Sequence, residues 1–179
     1  ENIKDAQQYI PEFLDDIINK NLNCIKFFKT PYNQVPLFNG ASEESLDQLE
    51  KYIANHKVKR KVIKDTIGGI FFTKSKYQVL YFDVGSPPSK SFSKNYQSGP
   101  LSFEYFLDGI KIITNSGFGS HISKKAEALS RLTACQSTLS INDTSVTKFE
   151  KSEMINKVFG NSIKDTFKSF EFFSKDENG

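Results

Sequence analysis

The chain has 179 residues, 37% of them hydrophobic and 25% charged, with a formal net charge of +3. That is room for one domain with a real core, or one domain and a short appendage, and it excludes collagen-like, coiled-coil and wholly disordered chains. No apolar run approaches the roughly 18–20 residues of a membrane-spanning helix, so no membrane span is expected. Only two of the 24 basic residues are arginines, Arg60 and Arg131. Arginine is the usual reader of phosphates and base edges, so nucleic acid is not an expected partner. Cys24 and Cys135 lie too far apart for a close-spaced metal motif and read as buried free thiols. The sequence begins at Glu1 without a leader pattern and reads as a fragment of a longer protein.

Residues 3–20 read as a helix, because Ile10, Phe13, Leu14, Ile17 and Ile18 recur at helical spacing. Pro11 fits its first turn or marks a break. Ile10, Phe13, Leu14 and Ile17 are expected to lack cover within the chain. Short strands are expected at 22–28 and 34–38. Ser42 is a candidate cap for a second helix, with Glu43 and Glu44 in its first turn and Leu46, Leu49 and Ile53 on its buried face. From about residue 60 the period becomes that of strands. Residues 70–73 and 77–84 read as a hairpin, with the second strand apolar on both faces and therefore covered on both. Residues 85–100 form a long Ser/Pro/Lys/Gly loop of the kind that is functional or mobile. Residues 101–107 and 110–114 make a hairpin turned by Asp108 and Gly109. A strand is expected at 138–141, before the turn at 142–144. Residues 149–159 fit either strand or helix, and Phe167, Phe170, Phe172 and Phe173 sit in an otherwise polar tail.

Most familiar catalytic motifs are missing. There is no phosphate loop, no Gly-x-Ser-x-Gly elbow and no pair of histidines four residues apart. His56 reads as a helix-end charge. His121 lies in a Gly/Ser loop, either simply exposed or within reach of a substrate. Asp83 stands in an apolar strand at the mouth of the long loop. A carboxylate there either ties down the loop backbone or, if partly buried, calls for a cationic partner. Glu104, between Phe103 and Tyr105, reads as a strand residue facing water.

The most distinctive stretch is Leu101-Ser-Phe-Glu104, its Asp108–Gly109 turn and Asn115-Ser-Gly117, followed by Arg131-Leu-Thr-Ala-Cys-Gln136-Ser-Thr138. Upstream lies Asp83-Val-Gly85 with Pro87 and Pro88, and further upstream Leu37-Phe-Asn-Gly-Ala-Ser-Glu-Glu44. In this order the segments resemble the C-terminal β-sandwich domain of the heparinase II/III-like family of polysaccharide lyases, including its bacterial members. The resemblance spans about residues 34–146 and is strongest over 79–146. It implies a mainly β fold, an antiparallel β-sandwich of stacked sheets, with an N-terminal helical segment left from an α/α toroid. Residues 1–58 would be the end of the helical domain and its connection. Residues 59–179 would be a truncated sandwich domain, and the missing N-terminal helical domain would be its partner.

The chemistry implied is β-elimination at a uronic acid, with the rest of the machinery in the toroid and no cofactor. Relatives of this kind lie in the periplasm or cell envelope. Where the family commonly carries histidines, this chain has Gln97 and Gln136. An amide neither transfers a proton at neutral pH nor ligates zinc well, so no metal is expected and the catalytic residues are not assigned. Gln97, Arg131, Gln136 and Asp83 are the candidate substrate-binding residues. Arg131 can pair with a substrate carboxylate or tie strands together through a salt bridge. Two functions follow: lyase activity of the parent chain on an acidic polysaccharide, or a catalytically inactive β-sandwich that binds acidic glycan or is structural.

Overall fold

The computed structural model describes residues 12–43, 45–54 and 66–168. The start of the first expected helix with Ile10 and Pro11, Glu44, His56, Arg60, the 58/59 domain boundary and Phe170, Phe172 and Phe173 lie outside the described residues.

Helix α1 spans Glu12–Phe27 and α2 spans Asp47–Ala54. Five strands follow: β1 (Thr66–Ile67), β2 (Ile70–Lys74), β3 (Gln78–Asp83), β4 (Phe103–Leu107) and β5 (Ile110–Ile113). They pair antiparallel in chain order as one five-stranded meander. Helix α3 (Lys124–Ser130) precedes a small antiparallel sheet of β6 (Lys148–Phe149) and β7 (Ile163–Asp165), with helix α4 (Glu153–Phe159) between its strands. The fold is therefore mainly β with a helical N-terminal part. Among the described residues no helix is long and apolar enough to cross a membrane.

Pairing in the meander sets which side chains share a face. Val79 lies opposite Phe106, Tyr81 opposite Glu104 and Phe72 opposite Tyr81. Ile70, Val79, Tyr81 and Phe106 form the buried core cluster, with Phe28, Phe38 and Phe72 packed against it. The end of α1 closes this face. The Phe27 ring lies 4.7 Å from Phe72, and the Tyr81 hydroxyl donates to the Phe27 and Lys29 carbonyls at 3.3 and 3.0 Å. The opposite face of β3, with Leu80 and Phe82, is half-buried, so the expected cover on both sides is incomplete.

Several local expectations are corrected. Residues 22–27 continue α1 instead of forming a strand. Leu22 follows Ile18 by four residues, so the apolar stripe keeps its helical period, and the buried Phe27 anchors the end. Residues 34–38 run without a ladder apart from one bridge between Gln34 and Ser45. Pro36 has no N–H to offer a ladder there. Helix α2 starts at Asp47, whose N–H is taken by the Ser45 hydroxyl at 3.1 Å, while Glu43 pairs with Lys111 at 3.1 Å. Residues 138–141 form no strand. Leu139 and Ile141 are exposed, and the Thr138 hydroxyl is engaged by the Pro100 carbonyl. The Asp108–Gly109 turn has φ of 50° and 77°, as a tight hairpin turn requires. Phe13 and Ile17 on α1 are exposed, Leu14 is half-buried, and both cysteines are free and half-buried.

Candidate functional site

Residues 85–100 do not behave as a surface loop throughout. After one tight turn at Lys90–Phe92 the chain dives inward, and Ser93, Tyr96, Gln97 and Ser98 are all buried. Gln97, 2% exposed, spends its whole amide on backbone. Its Oε1 accepts the Gly40 N–H at 3.0 Å, and its Nε2 donates to the carbonyls of Gly117 at 3.0 Å and Ser130 at 2.8 Å. Gln136 Nε2 donates to that same Ser130 carbonyl at 2.7 Å. The two glutamines thus converge on one acceptor.

This geometry tests whether a metal belongs here. Both amides present N–H groups toward the Ser130 carbonyl where they meet, and the Gln97 Oε1 is turned away from that point to accept the Gly40 N–H. Among the described residues no group of three His, Cys, Asp or Glu side chains is placed to hold a metal ion. Two N–H donors on one carbonyl make no cation site where Gln97 and Gln136 meet.

Arg131 follows α3 and is also 2% exposed. Its Nε donates to the Tyr96 carbonyl at 2.9 Å and its Nη2 to the Ser93 carbonyl at 3.0 Å. The guanidinium lies over the Phe149 ring, 3.8 Å from its centroid. Burial pulls its pKa down to about 10, opposed by nearby Glu127. The expected alternative of a strand-tying salt bridge is replaced by bonds to backbone carbonyls.

Asp83 is buried, and its partners are N–H groups instead of a cation. Gly85 N–H donates to Oδ1 at 3.1 Å and the Asn39 amide to Oδ2 at 3.3 Å. Burial pushes its pKa up to about 6, and those two bonds hold it from rising further. Glu104 is not a water-facing residue. It shares the covered face with Tyr81 and accepts from Thr114 and from the Asn115 N–H at 3.1 Å. Burial raises its pKa, while bonds from Thr114, Asn115 and the Leu37 N–H lower it. Asp83, Gln97 and Glu104 therefore grip one short segment through Asn39, Gly40 and Leu37. They tie the connection after α1 to the sheet.

That grip shapes a cleft of about 830 Å³ lined by Gly40, Ser42, Glu43, Lys94, Asn95, residues 116–122 and Glu127. Gly40 and Gly117 both line it, and Gln97 bridges them from behind. The loop carrying His121 is pinned along its length. The Gly117 carbonyl accepts from Gln97, Phe118 N–H donates to Ala41 at 2.9 Å, and Gly119 N–H donates to the Ser130 hydroxyl at 3.0 Å. Gly119 packs so closely on α3 that an added Cβ would lie 2.7 Å from the Ala126 backbone. His121, the one histidine among the described residues, is exposed on this wall. Lys94 is the cleft's lysine. Glu43 is paired with Lys111, and Glu127 accepts from Asn161 at 3.4 Å.

Of the four residues expected to touch substrate, the structure places Gln97, Arg131 and Asp83 in the interior and Gln136 half-buried beside them. None of them lines the cleft, which His121 and Lys94 do. Helix α3 was missed as well. Its signal was present in Ser123 before Lys-Lys-Ala-Glu-Ala-Leu: the Ser123 hydroxyl accepts the Ala126 N–H at 3.0 Å.

Comparison with known proteins agrees with this architecture. The sequence pattern of the family described as heparinase II/III-like, C-terminal, matches residues 66–178. No curated protein is similar enough in sequence to count as a relative. Among solved structures, a mutant of the heparan sulfate lyase HepC from Pedobacter heparinus superposes with a TM-score of 0.58 at 16% identity, over 80% of this chain and 28% of that one. A heparinase III superposes with a TM-score of 0.56 at 15% identity, over 80% and 29%. A second heparinase III gives 0.59 at 15%, over 79% and 27%. The chain thus spans under a third of the length of these proteins, and at such identity the likeness is one of fold. With the family pattern covering most of its length, the chain belongs to the heparinase II/III-like family, as a form of its C-terminal domain.

Proposed function

We propose that this chain is the C-terminal β domain of a polysaccharide lyase-like protein acting on uronic-acid-containing glycans, and that the 830 Å³ cleft is its wall of the substrate site. The observation carrying this reading is His121, a proton-transferring side chain on a pinned loop in that cleft. In β-elimination a base removes the C5 proton of the uronate and the C4–O bond breaks. A C4=C5 double bond forms, and the leaving oxygen takes up a proton. His121 serves one of these two transfers, and Lys94 faces the uronate carboxylate whose charge must be offset. Gln97 acts from behind, holding Gly40 and Gly117 in place. The helical domain that would complete the cleft precedes the sheet, with the division near residues 58 and 59.

A second reading is favoured by one specific observation. Gln97 and Gln136 have no group that transfers a proton at neutral pH and are held by backbone, which suits a domain that binds acidic glycan without cleaving it. The test is to incubate the full-length protein with a panel of uronic-acid polysaccharides and follow the ultraviolet absorbance of the unsaturated product. A rising signal supports the lyase reading. Binding without any signal leaves the second reading in its place.

A further inference from the structure

The first cleft carries Lys94 against Glu43 and Glu127, so the cations are not concentrated there. They gather in a separate cleft of about 820 Å³, and α3 gives Glu127 to the first cleft and Ala128 to this one. Arg131, Lys148, Lys151 and Lys164 line it, with Glu150 and Asp165. Glu150 is committed to the backbone, accepting from the Lys151 and Ser152 N–H groups at 2.9 and 3.0 Å. Among the described residues none of the three lysines closes an ion pair. The Arg131 Nη1 is buried with no hydrogen-bond partner among the described residues, although Nε and Nη2 are both satisfied. A buried guanidinium donor left unpaired costs free energy that an incoming anion would recover. The guanidinium is stacked over the Phe149 ring, which limits its movement.

We propose that this second cleft binds an acidic saccharide, with one carboxylate or sulfate group at Arg131 and further groups at Lys148, Lys151 and Lys164. Four cations against two carboxylates leave an excess of positive charge, although Lys164 also faces the Glu150 charge, and that excess favours a chain of several negative charges over a single ion. The site would hold glycan away from the cleft that carries His121, and it stands whether or not the protein cleaves what it binds.

The test is isothermal titration of the full-length protein with inorganic sulfate, a sulfated oligosaccharide, an unsulfated uronate oligosaccharide and a single-stranded oligonucleotide. The variants are Lys148→Glu/Lys164→Glu, which touches only this cleft, and His121→Ala, which touches only the first. The proposal expects saccharide affinity to fall at least tenfold in the double lysine variant, at unchanged melting temperature, and affinity to fall with rising salt. The sulfated and uronate arms show which acidic group is preferred, and binding to either one supports the site. It is overturned if the lysine variant binds both saccharides as well as wild type. It is overturned equally if only free sulfate binds, or if the oligonucleotide binds as tightly as either saccharide.

Discussion

Replacing Gln97 by Ala is the perturbation whose cost can be worked most directly from the structure. Three hydrogen bonds are lost, but not at equal cost. The Ser130 carbonyl keeps the Gln136 amide and the Gly117 carbonyl keeps the Ser116 hydroxyl at 3.1 Å. Each of those two losses is therefore near the ordinary net value of ~1 kcal/mol. The Gly40 N–H loses its acceptor in a half-buried place, which adds ~1–2 kcal/mol. The sum is about 3–4 kcal/mol, or a melting temperature lower by roughly 6–16 °C for a chain of this size. Gln97→His recovers only part of the loss. A neutral imidazole offers one donor and one acceptor, and three bonds are needed. Chemical denaturation of the wild type and both variants measures this, with glycan binding followed alongside, since Gly40 and Gly117 line the cleft. A loss under about 1 kcal/mol for Gln97→Ala would refute the clamp.

Asp83 gives a pH signature. Its folded pKa of about 6 lies above the ordinary 3.8, so folding favours the protonated form. Its contribution is fully present below pH 4 and is lost as pH rises through about 6. A two-unit shift corresponds to about 3 kcal/mol at most. Asp83→Asn flattens the stability profile between pH 4 and 6, as denaturant midpoints across that range will read. Tyr81→Phe removes the hydroxyl that joins the sheet to the end of α1 and lowers stability by about 1 kcal/mol in the same assay. Gly40→Ala is strained at φ +96° and brings a Cβ within 2.7 Å of the Asn95 side chain. Because Asn95 lines the cleft, its displacement is expected to weaken glycan binding in titration.

The meander was legible because its strands carry their own signals: alternation in β3 and β4, and an Asp-Gly turn whose backbone only a few residue types adopt. The interior of residues 85–100 was not legible. Ser93, Tyr96, Gln97 and Ser98 look like loop residues by type, and only tertiary hydrogen bonds make them core. The helix over 22–27 was misread because Cys-Ile-Lys-Phe-Phe has strand-like composition, while its burial against the sheet follows the helical period. Arg131 and Asp83 stand out in the sequence as charged residues in unusual places, and both are buried. The sequence, however, does not distinguish a polar group turned toward a ligand from one turned toward backbone carbonyls or N–H groups. His121 and Lys94 line one cleft through tertiary bonds, among them those of Gln97 to segments 57 and 20 residues away along the chain.

The measurement that tests the central claim most directly is the rate of unsaturated product formation by the full-length protein and its His121→Gln variant, across pH, with melting temperatures recorded on the same samples. A proton-transferring side chain contributes ~10²–10⁴-fold. The account predicts a loss of at least about 100-fold in His121→Gln at an unchanged melting temperature. Equal rates and equal pH profiles in the two proteins would contradict it.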